Sequence, residues 1–158
     1  MRHNRLIAGA LALLALAACD RVGGGDGAPL SKDDFVDQAN EICAASRTAA
    51  AQIPPPSLAD PIAVEHAVAE TVAIQRRALH DLRELESPRR DEPGVTQWLR
   101  RVDRALDQTE LLREGLETGD RAVIFDATTR GAAESDGAEE FADAYGLDDC
   151  STTPPEER

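Results

Sequence analysis

Four apolar stripes of helical period, each bounded by proline, glycine or a capping residue, constrain this chain more than any other feature. Ser31 with Asp34 forms a variant of the capping box, with acidic side chains in the first turn where the helix dipole favours them. Phe35, Ala39, Ile42, Ser46, Ala49 and Ile53 then recur at steps of four and three, with Cys43 beside the stripe, until Pro54-Pro55-Pro56 stops the helix. Asp60-Pro61 supplies an N-cap and a first helical residue for a second helix carrying Ile62, Ala69, Val72, Leu79, Leu82 and Leu85, which ends at Ser87-Pro88. Arg89 to Glu92 reads as a charged loop and Pro93-Gly94 as turn chemistry. A third helix follows from Val95 to Thr118, with Val95, Trp98, Leu99, Val102, Leu106, Thr109, Leu112 and Leu116 as its buried face. Gly119 suits its C-terminal stop, and Asp120 the next N-cap.

The fourth segment has apolar residues at both ends, Val123, Ile124 and Ala127 at the start and Phe141, Ala142 and Tyr145 at the finish. Gly131 and Gly137 lie between, each costing about 1 kcal/mol in a helix interior relative to Ala, so the pattern admits one helix with a soft middle or two short ones. Tyr145-Gly146-Leu147 reads as its stop. No stretch alternates as a strand would, and no repeat recurs. Aromatic side chains are few, and a core of Ala, Leu, Val and Ile suits closely packed helices. Four helices with short connections predict an all-α fold, an antiparallel up-down bundle over residues 31–150.

Ahead of the bundle, Arg2, His3 and Arg5 give a positive start, Leu6 to Ala18 is an uncharged apolar run, and Leu16-Ala17-Ala18-Cys19 closes it. Thirteen apolar residues are too few for a membrane-spanning helix, which needs about 20, and suit the apolar region of a signal peptide. The four-residue ending closely resembles the lipobox of bacterial lipoproteins. That resemblance implies removal of residues 1–18 and alkylation of the Cys19 thiol by diacylglycerol, with or without acylation of the new amino terminus. The alternatives are an ordinary secretory signal with a chance cysteine, or an uncleaved anchor. Two chains, at about 0.8 kcal/mol per buried methylene, suffice for stable anchoring. Residues 19–30 carry Gly23-Gly24-Gly25 and Gly27 without apolar periodicity and read as a flexible tether, reaching roughly 17–19 Å over ten residues. Residues 151–158 form a polar, proline-containing tail, expected to be disordered.

Charge excludes some partners. From Cys19 onward, 15 basic face 30 acidic side chains, a formal charge of −15. Nucleic acid and direct adhesion to anionic lipid both want basic patches, so neither is expected. No catalytic set stands out either: there is no G-x-S-x-G, no Cys-x-x-Cys, and no glycine-rich loop between a strand and a helix. His66 with Glu70 and His80 with Glu84 sit at metal-ligand spacing on the second helix, but the two histidines are fourteen residues apart, about 21 Å along a helix, and cannot share an ion. The acidic run from Asp126 to Asp149 lacks the ligand spacing of a calcium loop and reads as a solvated face. Arg100, Arg101 and Arg104, interleaved with Asp103 and Asp107, read as a solvated face of mixed charge. Trp98 reads as core. Neither cofactor nor metal is expected.

The segment Phe35-Val36-Asp37-Gln38-Ala39-Asn40-Glu41-Ile42-Cys43, the later proline stops and the ending Ala144-Tyr145-Gly146-Leu147-Asp148-Asp149-Cys150 together resemble small helical lipoproteins of high-GC Gram-positive bacteria. The resemblance implies an exported helical domain with a cysteine pair and brings no catalytic residues. With Cys19 taken by lipid, Cys43 and Cys150 are the remaining pair, in a compartment that permits oxidation. In an up-down bundle the fourth helix ends beside the start of the first, and Gly146 to Cys150, reaching roughly 15 Å when extended, can turn back toward Cys43. A disulfide Cys43–Cys150 is therefore expected. The functional expectation is a non-enzymatic binding module on the outer face of the cell membrane, joined to the membrane through Cys19 and meeting an unknown envelope protein. The alternative is a carrier of a small ligand or metal ion within the bundle.

Overall fold

The computed structural model describes residues 29–57 and 59–151. Processing before Cys19, its lipidation, the glycine-rich tether up to Ala28 and the tail beyond Ser151 lie outside the described residues. Within them the chain is an all-α bundle of four helices in up-down order: α1 (Lys32–Ala50), α2 (Pro61–Glu84), α3 (Glu92–Thr118) and α4 (Arg121–Tyr145). None of these helices is long and apolar enough to cross a membrane.

The helix starts follow their local chemistry. Ser31 Oγ accepts the Asp34 amide at 3.1 Å and donates to the Asp34 carboxylate at 2.6 Å. Asp60 Oδ1 accepts from the amides of Ile62 and Ala63, with Pro61 leading α2. Asp120 Oδ1 does the same for Ala122 and Val123. Each cap satisfies amides that have no partner within the helix.

One expectation changes at α3, and an open one is decided at α4. α3 begins at Glu92, so Pro93 and Gly94 belong to its first turn instead of to a turn before it. Proline suits that position because its fixed φ is helical and its missing N–H would find no partner there. Gly94 leaves room for Phe141, whose ring would meet an added Cβ at 3.0 Å. α4 is one continuous helix through Gly131 and Gly137. There a Cβ would approach Gln108 of α3 to 3.3 Å at Gly131 and would overlap the Arg101 guanidinium at Gly137. The glycines that soften the helix both face side chains of α3.

Neighbouring helices pack in chain order, α1 on α2, α2 on α3 and α3 on α4, the last pair most extensively. The core lies at the end where α1 and α3 start and α2 and α4 finish. It comprises Phe35, Ala39, Leu82, Val95, Trp98, Ala138, Ala142 and Leu147. Aromatics are sparse in the sequence but collect here. Trp98 stacks on Phe141 with centroids 6.0 Å apart, Phe141 on Tyr145 at 5.2 Å, and Phe35 meets Tyr145 edge-on at 6.2 Å. Such pairs add about 0.5–1.5 kcal/mol each beyond the area they bury.

The opposite end is thinner. α1 has 19 residues and α3 has 27, so α1 stops about 12 Å short at 1.5 Å per residue. Ile62 and Leu116, expected on buried stripes, are 67% and 58% exposed there, and Phe125 is 74% exposed. Ala49 and Ala69 are exposed as well. Helical period marks a face, but without a fourth helix opposite, that face stays open.

Candidate functional site

The most elaborated region lies where the chain leaves α4. Gly146 takes a left-handed conformation at φ 94°, and the amides of Gly146 and Leu147 both bond to the Ala142 carbonyl, at 3.0 and 2.8 Å. This is the glycine-terminated helix stop expected there. The turn drives Leu147 fully into the core, and Cys150 N–H donates to the Leu147 carbonyl at 2.9 Å. Residues 146–151 then run as a strap along α1. Cys43 and Cys150 form the expected disulfide, with Cα atoms 5.0 Å apart.

Three side chains of α1 hold the strap. Asn40, Cys43 and Arg47 stand at spacings of three and four, hence on one helix face. Asn40 Nδ2 donates to the Gly146 carbonyl at 3.1 Å, and its Oδ1 accepts the Asp149 amide at 3.0 Å. Arg47 pairs with the Asp149 carboxylate. Ser151, assigned from sequence to the tail, is 3% exposed and belongs to the folded body. Sequence reasoning identified the two cysteines but missed Asn40, whose signal was its place three residues before Cys43.

Beside the strap the bundle contains a cleft of about 530 Å³. Leu79 and Leu82 of α2 with Val102 and Leu106 of α3 form its apolar floor, and Trp98 edges it. α1 contributes only the turn around Cys43 to Arg47, and α4 the turn from Ser135 to Glu139. The cleft therefore lies between α1 and α4, the two helices that close the ring and do not pack along their length. Of its uncharged polar groups, Thr109 is half-buried and Gln75 and Ser135 are exposed at the rim, where Arg47, Asp149 and Glu139 also stand. Thr109 Oγ1 donates to the Ala105 carbonyl at 3.0 Å.

The charged residues do structural work. Arg76 of α2 bonds Asp103 at 2.6 Å, Asp107 at 2.5 Å and Glu110 at 3.2 Å, and Arg83 bonds the other oxygen of Asp103 at 2.7 Å. The Arg83 hydrogen bond is the main cause holding the Asp103 carboxyl below its usual range. Arg104 and Arg101 of α3 reach across to Glu134 of α4, Arg104 at 2.7 Å and Arg101 at 3.5 Å, and the Arg104 bond lowers the Glu134 pKa. Arg101 and Arg104 of the basic cluster thus clamp α3 to α4, Arg100 is exposed, and the interleaved aspartates serve α2. Tyr145 Oη donates to Asp91 at 2.8 Å; burial, helped by that carboxylate, pushes the phenol pKa well up. The Asp91 backbone is itself in the helical region, at φ −104° and ψ −4°, and its side chain makes no cap bond to α3.

His66 and His80 are both exposed. Among the described residues no three His, Cys, Asp or Glu side chains gather into a metal-ligand set. No family model, curated protein or solved structure matches the chain.

Proposed function

We propose that this chain is a non-enzymatic, lipid-anchored binding module at the extracytoplasmic face of the cell membrane, attached through Cys19 and meeting an envelope protein. One observation carries the reading. A domain closed by a disulfide across 107 residues follows a leader that ends in Leu16-Ala17-Ala18-Cys19. Disulfides persist in oxidising compartments outside the cytoplasm, and a cleaved apolar leader is a route there. The likeness to small helical lipoproteins of high-GC Gram-positive bacteria supports the same reading. Metabolic labelling with an alkyne fatty acid tests the anchor: wild type should be labelled and Cys19→Ser should not. Equal labelling of both would refute it. Cross-linking in membranes followed by solubilisation tests the partner, with a stoichiometric envelope protein as the expected result and an isolated chain as the contrary one.

The cleft between α1 and α4 supports a second reading, a carrier of a small ligand held within the bundle. Its volume of about 530 Å³ lies in the range of small-molecule pockets.

A further inference from the structure

We propose that the Cys43–Cys150 disulfide is a redox latch. Its reduction by a dithiol frees residues 148–151 from α1, leaves Leu147 and the four helices in place, and opens one wall of the cleft between α1 and α4. The inference goes beyond the binding-module reading and holds whether or not Cys19 carries lipid.

The strap is held in two parts. The first belongs to α4. The amides of Gly146 and Leu147 both donate to the Ala142 carbonyl, at 3.0 and 2.8 Å, and the Leu147 side chain is fully buried in the core. None of these contacts involves the bridge. The second part belongs to α1. Beyond Leu147 the strap meets that helix through the bridge, the Asn40 bond to the Asp149 amide and the ion pair of Arg47 with Asp149. The paired side chains are exposed, and such a pair contributes little. The Asp149 amide can turn to water once its segment is free, while Asn40 keeps its bond to the Gly146 carbonyl on the side that stays. Ser151 is buried but small and polar, so little apolar surface holds the segment down. The bridge therefore fixes the far half of the strap, and the chain between Leu147 and Asp149 is the hinge.

The sulfurs lie within reach of a reductant, because Cys43 and Cys150 are half-buried and both line the cleft. One thiolate of the dithiol attacks a sulfur of the bridge and forms a mixed disulfide, and its second thiol displaces the chain. The dithiol ends as a disulfide, and two electrons and two protons pass to Cys43 and Cys150, which end as thiols. Asp149, Cys150 and Ser151 border the same space as Leu79, Leu82, Trp98 and Leu106, all nearly covered with the strap in place. α1 and α4 do not pack along their length, so no helix replaces the wall that leaves.

The test treats the full chain with dithiothreitol, without denaturant, and follows amide exchange, far-UV circular dichroism and the fluorescence of Trp98, the one tryptophan. Two new thiols should appear, at Cys43 and Cys150. The amides of Asp149 and Cys150, bonded to Asn40 and to the Leu147 carbonyl while the bridge is closed, should exchange about tenfold faster or more. Those of Gly146 and Leu147 should stay protected, with helical dichroism unchanged. Acrylamide should quench Trp98 about twofold more efficiently in the reduced chain. Cys43→Ser with Cys150→Ser should reproduce the reduced chain. A bridge that yields to dithiothreitol only after denaturation would overturn the inference. So would loss of helical dichroism on reduction, or an unfolded serine variant, either of which makes the bridge a support of the whole bundle. Unchanged exchange at Asp149 and Cys150 would overturn it too, showing that Asn40 and Arg47 hold the strap without the bridge.

Discussion

Asn40 clasps Asp149 across 109 residues of sequence: its side-chain Oδ1 accepts the Asp149 amide at 3.0 Å while its Nδ2 holds the Gly146 carbonyl at 3.1 Å. One planar amide thus satisfies a donor and an acceptor of a strap that belongs to no helix. Removing it should leave part-buried backbone groups without partners. Asn40→Ala should cost about 1–3 kcal/mol in urea unfolding with the disulfide intact. Asn40→Asp should cost at least as much, because a carboxylate oxygen would then face the Gly146 carbonyl. A loss below about 0.5 kcal/mol for both would show that the strap does not need the clasp.

The disulfide acts on the same strap through the unfolded chain. A bridge closing 107 residues removes loop entropy worth about 4.7 kcal/mol in the chain-entropy account, and replacing Cys43 and Cys150 together by Ala should cost about 2–5 kcal/mol. Alkylation of denatured, unreduced protein should leave both cysteines unmodified by intact mass. Because Asn40 and Cys43 hold one segment, their losses should not add, and a double-mutant cycle should report coupling.

Two glycines with the same helical penalty should respond oppositely to Ala. At Gly115 a Cβ would press on the Ile124 backbone nitrogen at 3.1 Å and on the Ile124 and Val123 side chains. Neither helix can yield cheaply, so Gly115→Ala should destabilise by about 1–3 kcal/mol. At Gly137 the obstruction is the end of the flexible Arg101 side chain, which can swing away. Gly137→Ala should therefore lie within about 1 kcal/mol of wild type, the helix-propensity gain offsetting the displaced guanidinium. Thermal or urea unfolding of both variants checks the contrast.

Leu106 and Leu116 separate a buried register from an open one. Leu106 is 5% exposed and Leu116 is 58% exposed. Leu106→Ala should cost about 2–5 kcal/mol and Leu116→Ala less than about 0.5 kcal/mol. Equal losses would mean that the far end of α3 is covered in solution.

Stability should decline in acid through two carboxylates. Asp103 and Glu134 have folded-state pKa values below their ordinary range, chiefly through hydrogen bonds from Arg83 and Arg104. A depressed pKa contributes stability above the unfolded-state value, about 4, and that contribution is lost as pH falls through the folded-state value. Both pairs face solvent, so the effect should be small and weaker at high salt. Asp103→Asn with Glu134→Gln should flatten the stability profile below pH about 4. An unchanged profile would show that neither carboxylate is preferentially held in the folded state.

The amino-acid sequence by itself determined the helices and their caps, and left Cys43 and Cys150 as the pair to be joined. The helices and caps rest on interactions between residues a few positions apart: Ser31 with Asp34, Asp60 with Ile62 and Ala63, Asp120 with Ala122 and Val123, glycine after Thr118 and after Tyr145. Local period and capping chemistry need no knowledge of the partner helix. Which part of each stripe is covered depended on tertiary structure, because α1 ends short of α3 and leaves Ile62 and Leu116 in solvent. The same holds for Pro93-Gly94, read as a turn until Phe141 is seen lying against the helix that contains it. Only packing showed that Arg101 and Arg104 serve Glu134, that Asp91 accepts from Tyr145 and makes no cap bond to α3, and that Asn40 clasps the strap. The cleft was equally invisible in sequence. It arises between α1 and α4, which have no register in common and come together through a core at one end and the disulfide.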